Sequence, residues 1–453
     1  MSVKQSLQAV AMREALRYVR RNPEQNFIRL LSLIRPFARI PWHREVISQA
    51  EAMWADPENN WRKLTERALQ QLAPQVSEKI VMNFFLNASL IGVPIARAVE
   101  EEHDCNVPWA ILMDPTSNCN LRCEGCWAGE YARGAHLSLE ELDSIIQQGK
   151  ELGVYFYLYS GGEPLLRADD ILTLAAKHDD AVFCAFTNAT LVTPELADRL
   201  AEVGNVALAI SVEGFADAND FRRGAGTYAK TVRAMDLLRE VGAPFGFSTC
   251  YHAQNTEEVA SEAFVDAMVE KGCLFGWYFT YMPIGQHARP ELLVSPEQRR
   301  LMYERVHEFR ARKPIFLIDF WNDGEYCNGC IAGGRHYLHI NAHGDVEPCA
   351  FIHYADTNIR EATLLEALKS PLFMQYRQRH PFNANPLRPC PLLDNPDELV
   401  EMVSKAQAYS TQRLDNETAE TVAARCRQAA AQWGPVADAL WQERSAPTVK
   451  QAM

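Results

Sequence analysis

Three cysteines fall within eight residues: Cys119, Cys123 and Cys126, in the run Asn118-Cys119-Asn120-Leu121-Arg122-Cys123-Glu124-Gly125-Cys126. Thiolates separated by three and then two residues can wrap one face of a compact metal centre. A four-iron cluster normally takes four cysteines. Three leave one iron open to an outside molecule, which is the arrangement needed if a cofactor is to bind the cluster and be cleaved by it. A structural zinc site and a redox thiol pair are the competing readings. Zinc would need a fourth ligand close by, and the nearest histidine, His136, lies ten residues beyond Cys126. A second cysteine group, Cys327, Cys330 and Cys349, stands in a stretch rich in Gly, Pro and Asn, with Cys390 further on.

These residues need elements to position them. The first cysteine loop directly follows an apolar run at 109–113. Five more short runs follow, at 154–159, 181–186, 206–212, 245–250 and 275–281, and helical patterns at 138–152, 169–178, 194–203, 228–241 and 257–271 separate them. Ser138 and Glu141 have the spacing of a capping box. Strand then helix, repeated about six times, predicts a parallel sheet with helices outside it. Such sheets carry their chemistry at the C-terminal ends of their strands, where the motifs fall. The predicted fold class is α/β, a partial (β/α)6 TIM-like barrel over 108–312. An N-terminal helical domain, 1–107, precedes it. A small metal-stapled unit, 313–395, and a helical C-terminal tail, 396–453, follow.

The order of motifs then becomes specific. CxxxCxxC after the first strand of a repeated βα unit is the hallmark of the radical S-adenosylmethionine (radical SAM) superfamily, which this chain resembles over residues 108–395. Gly161-Gly162-Glu163-Pro164 follows the second strand and resembles the family's turn that meets the methionine amino group of SAM. Thr187-Asn188-Ala189-Thr190-Leu191 follows the third and Ser211-Val212-Glu213-Gly214 the fourth; Arg222-Arg223-Gly224 and Gly226-Thr227-Tyr228 open the next helix. The resemblance implies a 4Fe–4S cluster on Cys119, Cys123 and Cys126. It implies SAM held by Gly161, Gly162, Glu163, Pro164, Asn188, Ser211, Glu213 and Arg223. It further implies reductive cleavage of SAM to a 5′-deoxyadenosyl radical that abstracts hydrogen from a substrate, and an external one-electron reductant of flavodoxin or ferredoxin type. Two positions depart from the family pattern. Gly125 stands where an aromatic residue usually packs near the adenine, with Trp127 after the third cysteine instead, and Glu213 stands where Asp is usual.

Cys330, thirteen residues, Gly344, four residues and Cys349 resemble the opening of the SPASM or Twitch auxiliary-cluster domains that follow many radical SAM cores. This implies a second, auxiliary 4Fe–4S cluster on Cys330, Cys349 and Cys390, with Cys327 the candidate for a fourth ligand and zinc the competing metal. Cys105, Cys184, Cys273 and Cys426 read as core residues. Cys250 is the isolated cysteine that a barrel strand can point at substrate. Trp277, Tyr278 and Tyr281 are candidates to line a pocket, and Asp319, Trp321, Asn322 and Asp323 candidates for the substrate side. His339, His343 and His353 read as structural rather than as ligands.

Net charge is −13, against a nucleic-acid partner. Clustered cysteines without a visible secretory signal point to metal binding in a reducing cytoplasm. The most apolar stretch, 80–95, is shorter than the roughly 20 residues of a spanning helix and reads as a buried helix, with an interfacial segment as the alternative. Residues 13–44 hold eight arginines against Glu14 and Glu24, beside Leu30 and Trp42. These helices are a candidate for peripheral membrane contact, though a solvated face is the simpler reading. The substrate, an unknown small molecule, lipid or peptide, is not named by the sequence. The basic, apolar N-terminal region tips the expectation towards a lipid or other small molecule. A peptide-modifying maturase is the alternative, and a non-catalytic iron–sulfur electron-transfer protein the rival from another class, although the latter would not need Gly161–Pro164.

Overall fold

The computed structural model describes residues 3–35, 41–285 and 287–445. Arg39 of the basic segment lies outside them, as do the side chains of Arg13 and Trp42. All six expected strands form: β1 (Ala110–Met113), β2 (Phe156–Tyr159), β3 (Val182–Thr187), β4 (Val206–Ser211), β5 (Phe245–Tyr251) and β6 (Phe275–Thr280). Helices Leu139–Glu151, Ala168–Lys177, Pro194–Val203 and Thr227–Val241 lie between them. Ser138 and Glu141 make the reciprocal capping box. The pattern at 257–271 divides into Thr256–Val259 and Glu262–Lys271, because the Ser261 side chain accepts from Phe264 N and starts a new helix there.

The six strands pair in parallel in chain order, and the sheet continues on both sides. β7 (Phe316–Asp319) joins β6, while β8 (Tyr337–Ile340) runs parallel to β1 with His339 opposite Leu112, and β9 (Val346–Glu347) turns back antiparallel on β8. The architecture is the expected partial barrel, but the expected boundary at residue 312 does not coincide with the edge of the sheet. The cysteine-rich segment supplies three of its strands.

Alternation along each strand separates two cores. Ile111, Met113, Tyr157, Phe183, Leu208 and Ile210 pack outward against the helices. Ala110, Leu112, Phe156, Leu158, Cys184 and Ala209 face inward, into a core shared with Cys349, Tyr376 and Leu392. Within the expected helical C-terminal tail, the helix Ala419–Ser445 packs on the rest of the protein. It buries Val422, Cys426 and Trp433, and Trp433 Nε1 donates to Leu387 O.

The apolar stretch 80–95 belongs to one continuous helix, Pro74–His103, longer than the sequence reading allowed. Its middle, Val81–Gly92, is wound as a π-helix. Asn83 and Asn87, which interrupt the apolar pattern, face inward and donate to the carbonyls of Asp179, Ala181 and Asp180 ahead of β3. At Gly92 the helix crosses the turn before β2 so closely that a Cβ would lie 2.2 Å from Gly153 O. Gly92→Val is therefore expected to lower stability by about 1–3 kcal/mol through overpacking, read from the midpoint of urea unfolding. An unchanged midpoint would mean the helix does not seat on this turn.

Candidate active site

The inner face of the sheet encloses a cavity of about 490 Å³. Cys119, Cys123, Cys126, Gly161, Gly162, Glu163, Asn188, Ser211 and Arg223 all line it, so the first cysteine loop and most of the expected cofactor residues converge from four separate strand ends. The rest of the wall is largely aromatic: Trp109, Phe156, Phe186, Trp277, Phe279, Phe320 and Phe351. Cys250 lines it too. Trp277 and Tyr281 do as well, whereas Tyr278 points outward and donates to Val259 O.

Two expected cofactor residues do not reach the cavity. Pro164 is buried behind the turn and opens a short 3-10 helix. Glu213, fully buried, is consumed by its partners: Arg222 Nη1 donates to Oε1 at 2.7 Å, Arg223 Nε to the same oxygen at 2.8 Å, and Cys250 N to Oε2 at 2.8 Å. Burial pushes its carboxyl up, but the two guanidiniums outweigh this and hold it below the usual range. Glu213 is thus a support for the arginines. Of these, Arg223 brings Nη1 to 3.9 Å from Cys123 Sγ. Glu163 does line the cavity, yet its carboxylate accepts from Thr187 Oγ1 (2.6 Å), Leu165 N (2.9 Å) and Asn188 N (2.8 Å). It ties the turn after β2 to the turn after β3 and keeps lone-pair capacity for one further donor.

The departure at Gly125 has a structural explanation. Its φ is +62°, and a Cβ there would lie 2.5 Å from the Tyr281 ring. Tyr281, at the end of β6, fills the space beside the third cysteine from another element. Its hydroxyl accepts from Arg289 N at 2.8 Å, and Arg289 Nη1 pairs with Glu124 Oε2 at 3.0 Å. The segment after β6 therefore clasps the cysteine loop.

Behind the loop lies a buried charge network that the sequence did not reveal. His339 Nδ1 bonds Glu347 Oε2 at 2.6 Å, and its Nε2 stands 3.0 Å from Asp114 Oδ1, an ion pair without the alignment of a hydrogen bond. Tyr131 donates to Glu347 at 2.7 Å and Ser160 to Asp114 at 2.7 Å. The Trp127 ring lies edge-on to both Tyr131 and His339. Burial alone would push the imidazole down, but the two carboxylates raise it to about 10. His343 and His353 stay structural, bonding Tyr131 O and Ala350 O.

Cys327, Cys330, Cys349 and Cys390 surround a second, smaller cavity of about 70 Å³, and Cys327 borders the first as well. Trp321 and Asp323 line this second cavity rather than the substrate side, and Asp319 and Asn322 are bonded to each other and to Tyr251 on the outer side. That set of substrate-side candidates is therefore corrected. Tyr376 Oη, buried at the cavity wall, has no hydrogen-bond partner. Four thiols and an orphaned hydroxyl around one void fit an iron–sulfur cluster. The first loop fits equally, with three thiols at a cavity mouth backed by arginine charge. Among the described residues no three such side chains close up around a single metal ion, and both sets spread around a cavity instead. Burial pushes the Cys119 thiol up to about 11 and Cys390 likewise to about 11, so ligation releases protons.

Two outcomes are expected. Gly125→Ala should destabilise the chain through both its φ and its contact with Tyr281; Tyr281→Ala in the same background should recover the contact part alone, the φ part costing about 1–2 kcal/mol. Additive effects on the unfolding midpoint would show no contact. His339 is raised above its unfolded value, so the stability it contributes is complete below about pH 6.5 and is lost as pH rises through about 10. The melting temperature of the wild type should fall more steeply between pH 7 and 10 than that of His339→Gln; parallel curves would contradict the assignment.

Comparisons with known proteins agree with this geometry. Residues 113–263 match the radical SAM superfamily, and residues 319–391 match SPASM, an iron–sulfur cluster-binding domain. The chain is 26% identical over 291 residues to AdoMet-dependent heme synthase of Methanosarcina barkeri, covering 58% of this chain and 82% of the relative. It is 28% identical over 295 residues to PqqA peptide cyclase of Granulibacter bethesdensis, covering 60% and 76%. It is 28% identical over 277 residues to mycofactocin maturase MftC of Mycolicibacterium smegmatis, covering 57% and 68%. The fold resembles Streptococcus suis SuiB, solved bound to precursor peptide SuiA, with a TM-score of 0.56 at 19% identity over 66% of this chain and 75% of that one. Residues 113–263 form a radical SAM domain, which makes the chain an enzyme using a 4Fe–4S cluster and S-adenosylmethionine, and residues 319–391 form a SPASM domain for an auxiliary iron–sulfur cluster.

Proposed function

We propose that the enzyme takes a hydrogen atom from an apolar group of its substrate, held against the aromatic wall of the large cavity. One observation carries this reading. Among the described residues lining the cavity, only Glu163, Arg222 and Arg223 are of charged type, and all three belong to the cofactor motifs. A substrate part that reaches further meets Phe156, Phe186, Trp277 and Phe279 and would leave any charge of its own unpaired.

When bound, the cluster and SAM supply one-electron cleavage and hydrogen abstraction. Cys119, Cys123 and Cys126 would hold the first cluster. Arg223, fixed by Glu213, would offset its negative charge. The turns carrying Gly161, Gly162, Asn188 and Ser211 would seat SAM, with Glu163 locking two of them together and accepting from the amino group. Tyr281 would take the adenine side that Gly125 leaves bare. Cys330, Cys349 and Cys390, completed by Cys327, would hold the auxiliary cluster. The apolar walls exclude water and competing hydrogen donors.

A second reading is supported by the relatives rather than by the cavity. PqqA peptide cyclase is named for a peptide and SuiB was solved bound to a precursor peptide, and they favour a precursor peptide over the lipid or small molecule that the N-terminal sequence suggested. On that reading a single apolar or aromatic side chain enters the cavity while the peptide backbone stays outside. Native cells grown on deuterated medium would provide an organic-soluble and a peptide fraction. Deuterium in the 5′-deoxyadenosine released with the organic fraction supports an apolar small molecule, and with the peptide fraction supports the second reading. None with either would contradict both.

The metal assignment is tested separately. The triple variant Cys119→Ala, Cys123→Ala, Cys126→Ala should form no 5′-deoxyadenosine yet retain about four irons, one cluster's content. Adding Cys349→Ala should remove them, and Cys327→Ala should lower them. Zinc in place of iron, after reconstitution with both metals, would overturn the auxiliary-cluster assignment.

A further inference from the structure

The helix Pro74–His103 is long and apolar enough, by length and composition, to cross a membrane, yet only 28% of its most apolar 18-residue stretch is buried. The helix cannot leave the protein. Its inner face is bonded through Asn83 and Asn87 to the chain ahead of β3, and Trp109 Nε1 donates to Ala88 O. One face is therefore left to the outside. It shows Phe85 at 54% and Leu90 at 56% exposure, within a stretch apolar enough to enter a bilayer.

Charge indicates what covers this face. The first 103 residues hold 14 Lys and Arg against 11 Asp and Glu, in a chain whose net charge is −13. Arg21, at the end of the helix Val3–Arg21, and Arg97, in the last turns of the long helix, are both exposed. Arg17 of that first helix reaches Glu78 at 3.8 Å, which anchors its basic end beside the start of the long helix. A net-basic N-terminal segment packed beside an outward apolar face, even with Glu100, Glu101 and Glu102 after Arg97, matches an element lying in the headgroup region of a bilayer.

The same face is continuous with the cavity. The Phe84 ring lies 5.4 Å from Phe85, 5.2 Å from Trp109 and 5.6 Å from Phe156, and the last two line the cavity wall. We infer that the outer face of Pro74–His103 seats on an anionic membrane surface, with the edge-to-face ring cluster of Phe84 joining that surface to the wall of the radical site. This placement rests on the apolar-substrate reading only for its purpose, and the two fail separately.

The test uses the reconstituted holoenzyme and flotation with vesicles of phosphatidylcholine, with or without about one third phosphatidylglycerol. The wild type should float with both and more strongly with the anionic vesicles. Phe85→Ser with Leu90→Ser should lower partitioning at least about tenfold while 5′-deoxyadenosine formation in the absence of vesicles is unchanged. Should that variant fail to fold, Arg21→Gln with Arg97→Gln carries the test, and it should lose the preference for anionic vesicles. No flotation of the wild type, or equal flotation of the variants, would overturn the inference. So would a change from dimer to monomer in the Phe85, Leu90 variant with vesicle binding intact, since a second copy would then be what covers the face. Loss of 5′-deoxyadenosine with normal flotation of the wild type would count against the radical site alone.

Discussion

The site depends on one close backbone approach. Gly162 N donates to Thr116 O and Glu163 N to Asn118 O, so the turn after β2 lies directly on the chain that leads into Cys119. A Cβ at Gly162 would fall 2.0 Å from Asn118 O, which no side chain can accommodate. The two turns form one surface, with the thiols on one side and the Gly161–Glu163 segment on the other. Glu163 extends that surface to Asn188 through a carboxylate it shares between three donors. The ends of β1, β2 and β3 are thereby registered against one another, and the cofactor side of the cavity takes its shape from them.

The SPASM segment is built into this arrangement. Because β8 pairs with β1, His339 arrives beside Asp114 at the base of the cysteine loop, and β9 brings Glu347 to its other side. A charged imidazole between two buried carboxylates costs desolvation, which is recovered only while both partners stay in place. The pairing therefore holds the strand that leads to Cys349 in fixed relation to the loop of Cys119–Cys126. Cys327 bordering both cavities belongs to the same continuity.

Much of this was legible in the sequence because it is local. Short apolar runs between helical patterns indicated the strands, the Ser138–Glu141 spacing one helix start, and motif order the loops at strand ends. What was not legible is what sequence separation hides. Tyr281 fills the space at Gly125 from the far end of the sheet, and only the glycine itself signalled that something must stand there. Glu213 matched a cofactor motif but is neutralised by two arginines nine and ten residues later, a pairing that the motif alone does not show. Asp319 and Asn322 looked like site residues because polar groups near a cysteine motif attract that reading, yet strand alternation turns Asp319 to the outer face and Asn322, in the turn after β7, bonds to it there. The long helix exceeds the apolar stretch because charged segments at either end, with Glu78 and Lys79 before it and Arg97 and Glu100 after it, continue the same helix, and its two asparagines are attachment points.

The central claim is that Cys119, Cys123 and Cys126 leave one iron of a cluster open to SAM within this cavity. Electron paramagnetic resonance of the dithionite-reduced, reconstituted Cys349→Ala variant, which should isolate that cluster, tests it most directly. The account predicts a four-iron signal whose g-values shift when SAM is added and do not shift when Glu163→Ala is also present. A signal indifferent to SAM in the variant that keeps Glu163 would contradict it.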